Sequence, residues 1–274
     1  LGTAGAVKKA EPFLTHRTVV FNGDVLCDIE LGAVFAQHER SGAKATIVLT
    51  PVENPSAYGL VETDAQGRVL RFLEKPGYDE ITCDTINAGI YVLEPELLAL
   101  IPQDTNYSFE RGFFPTLLRE KIPFSAFIHR GYWIDIGTPE KYLTVHRDLL
   151  RGDFHWSAET PPSRGGIRLH PEASVDPGAE VNGPAFIGAG AVIKAGAHIR
   201  PFAVIGKNCR LEEGASVEDS VLWPSVRVGA EARVRGALVG RNAHIGRNAL
   251  VDGGVVLGDK SVVADYSRLG QESA

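Results

Sequence analysis

From residue 169 onward an apolar side chain returns at every sixth position. Leu169, Val175, Val181, Ile187, Ile193, Ile199, Ile205, Leu211 and Val217 keep this step without a gap. Four residues after each stands a small or modest side chain: Ala173, Ala179, Ala185, Ala191, Ala197, Ala203, Cys209, Ala215 and Val221. The step slips once to Leu222, runs through Val228 and Val234, slips again to Val239, and continues through Ile245, Val251, Leu257 and Val263. This is the hexapeptide β-helix pattern, in which three short strands make one triangular coil and the anchors stack inward. Neighbouring coils are expected about 4.8 Å apart, the spacing of paired strands. Gly190, Gly196, Asn208, Gly214, Asn242 and Asn248 fall between anchors, where turns need positive φ. The slips at 217–222 and 234–239 predict tightened corners.

The rest of the chain is of another kind. Thr18 to Phe21 and Ala45 to Thr50 read as buried strands from their continuous apolar, β-branched runs. Between them, Asp28 is positioned to cap a helix carrying Leu31, Val34, Phe35 and His38, ending near Gly42. Residues 58–63 and 69–74 flank Asp64-Ala65-Gln66-Gly67 as a hairpin. Ile86 to Leu93 is a further strand, and Ser108 can cap a helix containing Phe113, Phe114, Leu117 and Leu118. Strands alternating with helices predict a mixed, mostly parallel sheet in three layers, with ligands at the strands' carboxyl ends. Residues 1–151 form this α/β domain, 152–166 a linker rich in Pro and Gly, 167–265 the β-helix and 266–274 a tail.

Two acidic residues stand at strand ends. Asp24 closes Asn22-Gly23-Asp24 after the first strand, and Asp135 ends the short apolar run Tyr132-Trp133-Ile134. Thr138 and Pro139 then start a helix as N-cap and first helical residue. A lone carboxylate at a strand end is usually structural, and each could simply cap its loop. Together they predict that Asp24 and Asp135 meet and share one divalent cation. His146 reads as partly buried, and His155, His170, His198 and His244 are too scattered for a metal site.

The net charge of -6 argues against nucleic-acid or anionic-membrane partners. No apolar run reaches transmembrane length. The three cysteines, Cys27, Cys83 and Cys209, lack metal-ligand or CxxC spacing and read as free thiols, which predicts the cytoplasm. The chain contains no Met and opens on Leu1-Gly2-Thr3, so its first strands are expected to lie upstream in a larger coding sequence.

With these pieces in order, the chain resembles the sugar-phosphate nucleotidyltransferases, most closely the bacterial mannose-1-phosphate guanylyltransferase-like members with a hexapeptide tail. The resemblance is carried by LGTAGA at 1–6, FNGD at 21–24, YGLVETD at 58–64, EKP at 74–76, NAGIYVLEPELL at 87–98, GYWIDIGTPEKY at 131–142 and SVLWPSVRVG at 220–229. It implies a truncated Rossmann-like catalytic domain followed by a left-handed parallel β-helix. The family's N-terminal Gly-rich loop, with its Arg and Lys, is absent, so this chain alone is expected to be inactive. The resemblance implies transfer of a nucleotidyl group from a nucleoside triphosphate, GTP favoured, to a sugar 1-phosphate, giving GDP-mannose and pyrophosphate. It further implies Mg²⁺ held by Asp24 and Asp135, Lys75 neutralising the sugar phosphate, and Glu74, Asn87 and Gly59 at the sugar.

Other readings stand beside it. A glucose-1-phosphate thymidylyl-, uridylyl- or adenylyltransferase would share these motifs, as would a non-catalytic regulatory subunit of the same fold. Acyl transfer by the β-helix needs a positioned His and an extruded loop, and the period here is broken only by single-residue slips. The β-helix is expected to serve homo-oligomerisation.

Overall fold

The computed structural model describes residues 1–74, 81–154 and 163–270. The chain forms two compact units, Leu1–Asp135 and Ile136–Ala274.

In the first unit the elements are α1 (Gly2–Lys9), β1 (Thr18–Phe21), β2 (Val25–Cys27), α2 (Leu31–Ser41), β3 (Ala45–Pro51), β4 (Gly59–Thr63), β5 (Val69–Glu74), β6 (Thr85–Leu93), α3 (Phe114–Arg119), β7 (Phe124–Ile128) and β8 (Trp133–Asp135). Six strands make one sheet in the order β5-β4-β6-β3-β7, with β1 also paired to β6. Alternate residues of the central strands point to opposite faces. Ile47, Leu49, Tyr91 and Leu93 join Phe109, Phe113, Phe114 and Leu117 on one side, whereas Val48, Ile90 and Val92 join Val34 of α2 on the other. Two buried faces make the three layers expected.

The mostly parallel sheet is corrected. Among the described strands of this sheet only β3 and β7 pair in parallel; β1–β6, β3–β6, β4–β5 and β4–β6 are antiparallel. The physical reason is β6. It runs against β1, β3 and β4, so it separates β3 from the two strands that share its direction on the other edge. The β4–β5 hairpin adds a second antiparallel strand without a helix, which alternation of strands and helices does not reveal. β1 is likewise only half-buried over most of its length, and antiparallel to its neighbour.

Local chemistry explains the hairpin and the helix ends. Asp64 Oδ1 accepts from the backbone N–H of both Gln66 and Arg68 at 2.9 Å, which closes the β4–β5 turn. The Arg68 N–H in particular holds this carboxyl below its usual range. Gly42 ends α2 in the left-handed conformation, φ 60°. Ser108 accepts from Glu110 N and Arg111 N ahead of the turn that leads into α3. Asp28 does not cap α2: the N-cap position belongs to Glu30, with no side-chain cap.

The second unit is the β-helix. Its strands form three sheets, parallel throughout except where Ser163–Arg164 adds an antiparallel end strand to one of them, and six coils are present among the described residues. Down one face Ile187 pairs with Ile205, then Leu222, Val239 and Leu257. The anchors from Val175 to Val263 form one continuous interior cluster with the alanines and Cys209. Leu169, expected to point inward, is instead exposed, because among the described residues the first coil has no coil before it to cover it. Each fully buried Ile or Leu there contributes about 1.5–3 kcal/mol relative to exposure. The geometry is consistent with the left-handed hand that the resemblance implies. All six Gly and Asn positions named above have positive φ, and Phe202, Ser225, Glu231, Lys260 and Tyr266 adopt it as well. The two slips are corners one residue shorter, turned by Asp219 (φ 46°) and Gly236 (φ 60°). At the first, buried Ser220 donates to Glu218 O at 2.6 Å and accepts from Ala237 N at 3.1 Å, so the tighter corner keeps its backbone groups satisfied.

A helix, α4 (Pro139–Arg151), belongs to this unit. Thr138 caps it by accepting from Lys141 N, and Gly152 ends it at φ 91°. Arg147 donates twice to the Asp219 carboxylate, both bonds 2.6 Å, and the Arg151 guanidinium lies 4.9 Å from the centre of the Phe202 ring. The helix therefore fastens to the coil's corners.

Candidate active site

Asp24 and Asp135 are brought together by a two-stranded ribbon of β2 and β8 that stands apart from the main sheet. Its antiparallel register places Val25 opposite Asp135, Leu26 opposite Ile134 and Cys27 opposite Trp133. Asp24 precedes Val25, so the two acids occupy neighbouring backbone positions at one end of the ribbon. Asp24 is exposed and Asp135 half-buried.

The ribbon is held against a bulge in β6. The β3–β6 register shifts between Ile47, opposite Tyr91, and Leu49, opposite Asn87. Inside the bulge Gly89 takes φ +74°, and a Cβ there would lie 2.8 Å from Asn22 Nδ2. Only glycine lets the Asn22 side chain settle on this backbone. The carbonyls of the bulge are taken up by the two acid-bearing segments. Gly89 O accepts from Asn22 N at 2.8 Å, and Ala88 O accepts from Trp133 Nε1 at 2.9 Å. One irregularity thus seats both the turn before Asp24 and the strand before Asp135.

Asn87 braces the same bulge. Its Oδ1 accepts from Gly89 N and its Nδ2 donates to Tyr91 Oη, each at 2.9 Å. A primary amide has two donors and two acceptor sites, so each end of Asn87 retains capacity for a ligand. Gly59 lies opposite Glu74, and Leu60 opposite Ile86, which sets Gly59 level with Asn87. Three expected sugar-binding positions therefore share one end of β5, β4 and β6. Lys75 lies outside the described residues, as does the side chain of Glu74.

Tyr58, which opens the YGLVETD stretch, has no role assigned by the sequence reading. It precedes Gly59, its hydroxyl donates to Asp135 Oδ1 at 3.2 Å, and its ring meets Trp133 edge-on with centres 5.9 Å apart. No local pattern distinguishes it. Gly89 did carry a signal, because an isolated glycine within a strand pattern marks a bulge. Cys27, in the ribbon, is no activated nucleophile, since burial pushes its thiol up.

The arrangement fits a magnesium ion of a particular kind. Among the described residues no group of three or more His, Cys, Asp and Glu could hold a metal, so no all-protein cage exists there. Mg²⁺ commonly takes one or two carboxylates and completes its shell with phosphate oxygens and water. Two acids at neighbouring backbone positions, one of them open to solvent, offer the one or two carboxylates that such an ion takes.

Comparison with known proteins identifies the family. The family model described as nucleotidyl transferase matches residues 1–152, and the model described as GMPPB C-terminal domain matches residues 181–272. A UTP–glucose-1-phosphate uridylyltransferase of Synechocystis sp. is 33% identical over 252 residues, covering 87% of this chain and 63% of the relative. A mannose-1-phosphate guanylyltransferase of Mycobacterium tuberculosis is 37% identical over 235 residues, covering 84% and 59%. A mannose-1-phosphate guanyltransferase of Pichia angusta is 35% identical over 279 residues, covering 96% and 74%. The chain thus spans less than two thirds of the length of the first two. On these matches the chain belongs to the sugar-phosphate nucleotidyltransferase family.

Proposed function

We propose that this chain is the nucleotidyl-transfer and β-helix portion of an enzyme that joins GTP and mannose 1-phosphate into GDP-mannose, releasing pyrophosphate. The observation that carries the reading is the ribbon register, which sets Asp24 beside Asp135 in a chain whose relatives include mannose-1-phosphate guanylyltransferases. In such a transfer the sugar phosphate oxygen attacks the α-phosphorus and the bond to pyrophosphate breaks. Catalysis is mostly positioning and neutralisation of charge. Asp24 and Asp135 would hold Mg²⁺, which when bound supplies charge neutralisation at the phosphates. Asn87 and the Gly59 backbone would orient the sugar, Glu74 would accept from its hydroxyls, and Lys75 would meet its phosphate.

A second reading, uridylyl transfer to glucose 1-phosphate, is favoured by the Synechocystis relative. Pyrophosphate release assayed with each triphosphate and each sugar phosphate separates the two, both for this chain and for one extended to supply the family's Gly-rich loop. Release with no pair from the extended chain overturns the enzyme reading and leaves a regulatory subunit. Asp24→Asn and Asp135→Asn should each abolish Mg²⁺-dependent turnover; near-normal rates in either remove the shared metal.

The free thiols Cys27, Cys83 and Cys209 support a cytoplasmic setting. No described helix is long and apolar enough to cross a membrane. For the β-helix we propose a role in homo-oligomerisation, so that deleting residues 167–274 changes assembly, read by light scattering, more than it changes chemistry.

A further inference from the structure

The ribbon that carries both acids at one end is fastened at the other by a pair of side chains. Asp28 follows β2 directly, and His129 follows β7 directly. His129 Nε2 lies 3.1 Å from Asp28 Oδ1 and 3.2 Å from the Tyr132 carbonyl oxygen. A carboxylate and a carbonyl both accept, so Nε2 carries the proton and donates to both. The backbone completes the fastening. His129 N donates to Leu49 O at 2.8 Å, and Asp28 N donates to Tyr132 O at 3.3 Å. Leu49 belongs to the fully buried part of β3, and His129 is itself only 8% exposed. Gly131 makes the room: a Cβ there would overlap Asp28 Oδ1 and lie 2.7 Å from His129 Cε1.

A two-stranded ribbon is marginal alone, and its geometry is set by what anchors it. This one spans three residue pairs, about 10 Å at the usual rise. We infer that His129 and Asp28 are positioning residues for the acid pair: by clamping the far end of the β2–β8 ribbon to the core strand β3, they set the spacing of Asp24 and Asp135. The inference rests on the reading of those two acids as a shared metal site. His129 and Asp28 act through the loop at Gly131 and Tyr132.

Mn²⁺ binding by the 274-residue chain, followed by electron paramagnetic resonance, tests it without relying on turnover. Asp24→Asn and Asp135→Asn are expected to abolish binding. His129→Ala is expected to weaken it about 10–100-fold, as loss of an outer partner of a metal site does. His129→Gln keeps an N–H donor near the Nε2 position and recovers most of the affinity. Amide exchange should quicken at Cys27 and Trp133 in His129→Ala while Ile47 and Tyr91 stay protected. Should His129→Ala fail to fold, Asp28→Ala takes its place. Native Mn²⁺ affinity in His129→Ala, with both acid variants inactive in binding, overturns the clamp and leaves the acid pair standing. Equal acceleration of exchange throughout the sheet also overturns it, as general destabilisation. Absence of Mn²⁺ binding by the wild-type chain, or its survival in both acid variants, removes the metal reading and the clamp with it.

Discussion

The hydroxyl of Tyr58 donates to Asp135 Oδ1 across 3.2 Å while the same ring packs edge-on against Trp133. One side chain thus orients the carboxylate at the end of β8 and packs against the residue that begins it. Tyr58→Phe keeps the ring contact and removes the hydroxyl. In the chain extended to supply the Gly-rich loop, the expected result is a rise of about 10-fold in the Mg²⁺ concentration that half-saturates pyrophosphate release, with the thermal midpoint almost unmoved. An unchanged Mg²⁺ dependence would show that the hydroxyl does not steer the carboxylate.

Gly89→Ala tests the bulge. The left-handed backbone at φ +74° costs a residue with Cβ about 1–2 kcal/mol, and the added carbon would press on Asn22. Urea unfolding should show at least that loss. Mn²⁺ affinity should fall as well, because the turn before Asp24 rests on this backbone. A stable variant with native metal affinity would mean that the bulge does not set the acid's position.

His146 on α4 predicts a dependence on pH. Burial pushes this imidazole below its ordinary 6.5, and its Nδ1 lies 2.8 Å from the Tyr142 carbonyl. Between the lowered folded value and 6.5 the unfolded chain binds more protons. The contribution of His146 is therefore fully present above 6.5 and is lost as pH falls through the folded value. Urea midpoints between pH 5 and pH 8 should show an acid-side loss that His146→Gln reduces. Identical pH profiles for the two proteins would remove His146 as a source of acid sensitivity.

Cys209 should be inert in the folded protein. It is fully buried at a small-residue position of the coil, its thiol lies 3.1 Å from Trp223 O, and burial pushes its pKa up to about 11. Peptide mapping after iodoacetamide at pH 8 should find it unmodified until urea is added. Cys209→Ala places there the residue that Ala191 and Ala243 supply elsewhere in the coil, and should cost about 1 kcal/mol. Rapid labelling without urea would show that the coil opens locally.

The β-helix was legible because each coil touches only its neighbours, so three-dimensional stacking repeats as a local period. Ile187, Ile205 and Leu222 are partners in space for the same reason that they stand in one series along the chain. The two slips could be read for that reason too, since a shortened corner shifts the period where it occurs. Phe202 and Tyr266 at positive φ could not, because neither residue prefers that conformation and the closing of the coil imposes it.

In the first unit the local elements were legible and their partners were not. The run from Ala45 to Thr50 announces a buried strand, but nothing in it says that its neighbours are β6 on one side and β7 on the other. The order of the motifs named the acids Asp24 and Asp135, and resemblance assigned them a metal. That Val25 faces Asp135, that Gly89 seats both segments, and that Tyr58 and His129 reach the ribbon from elsewhere were settled by the packed fold. Periodicity and turn chemistry act over a few residues and leave their mark on the chain. Pairing between distant strands depends on which buried surfaces and hydrogen bonds close together, and single segments do not record that choice.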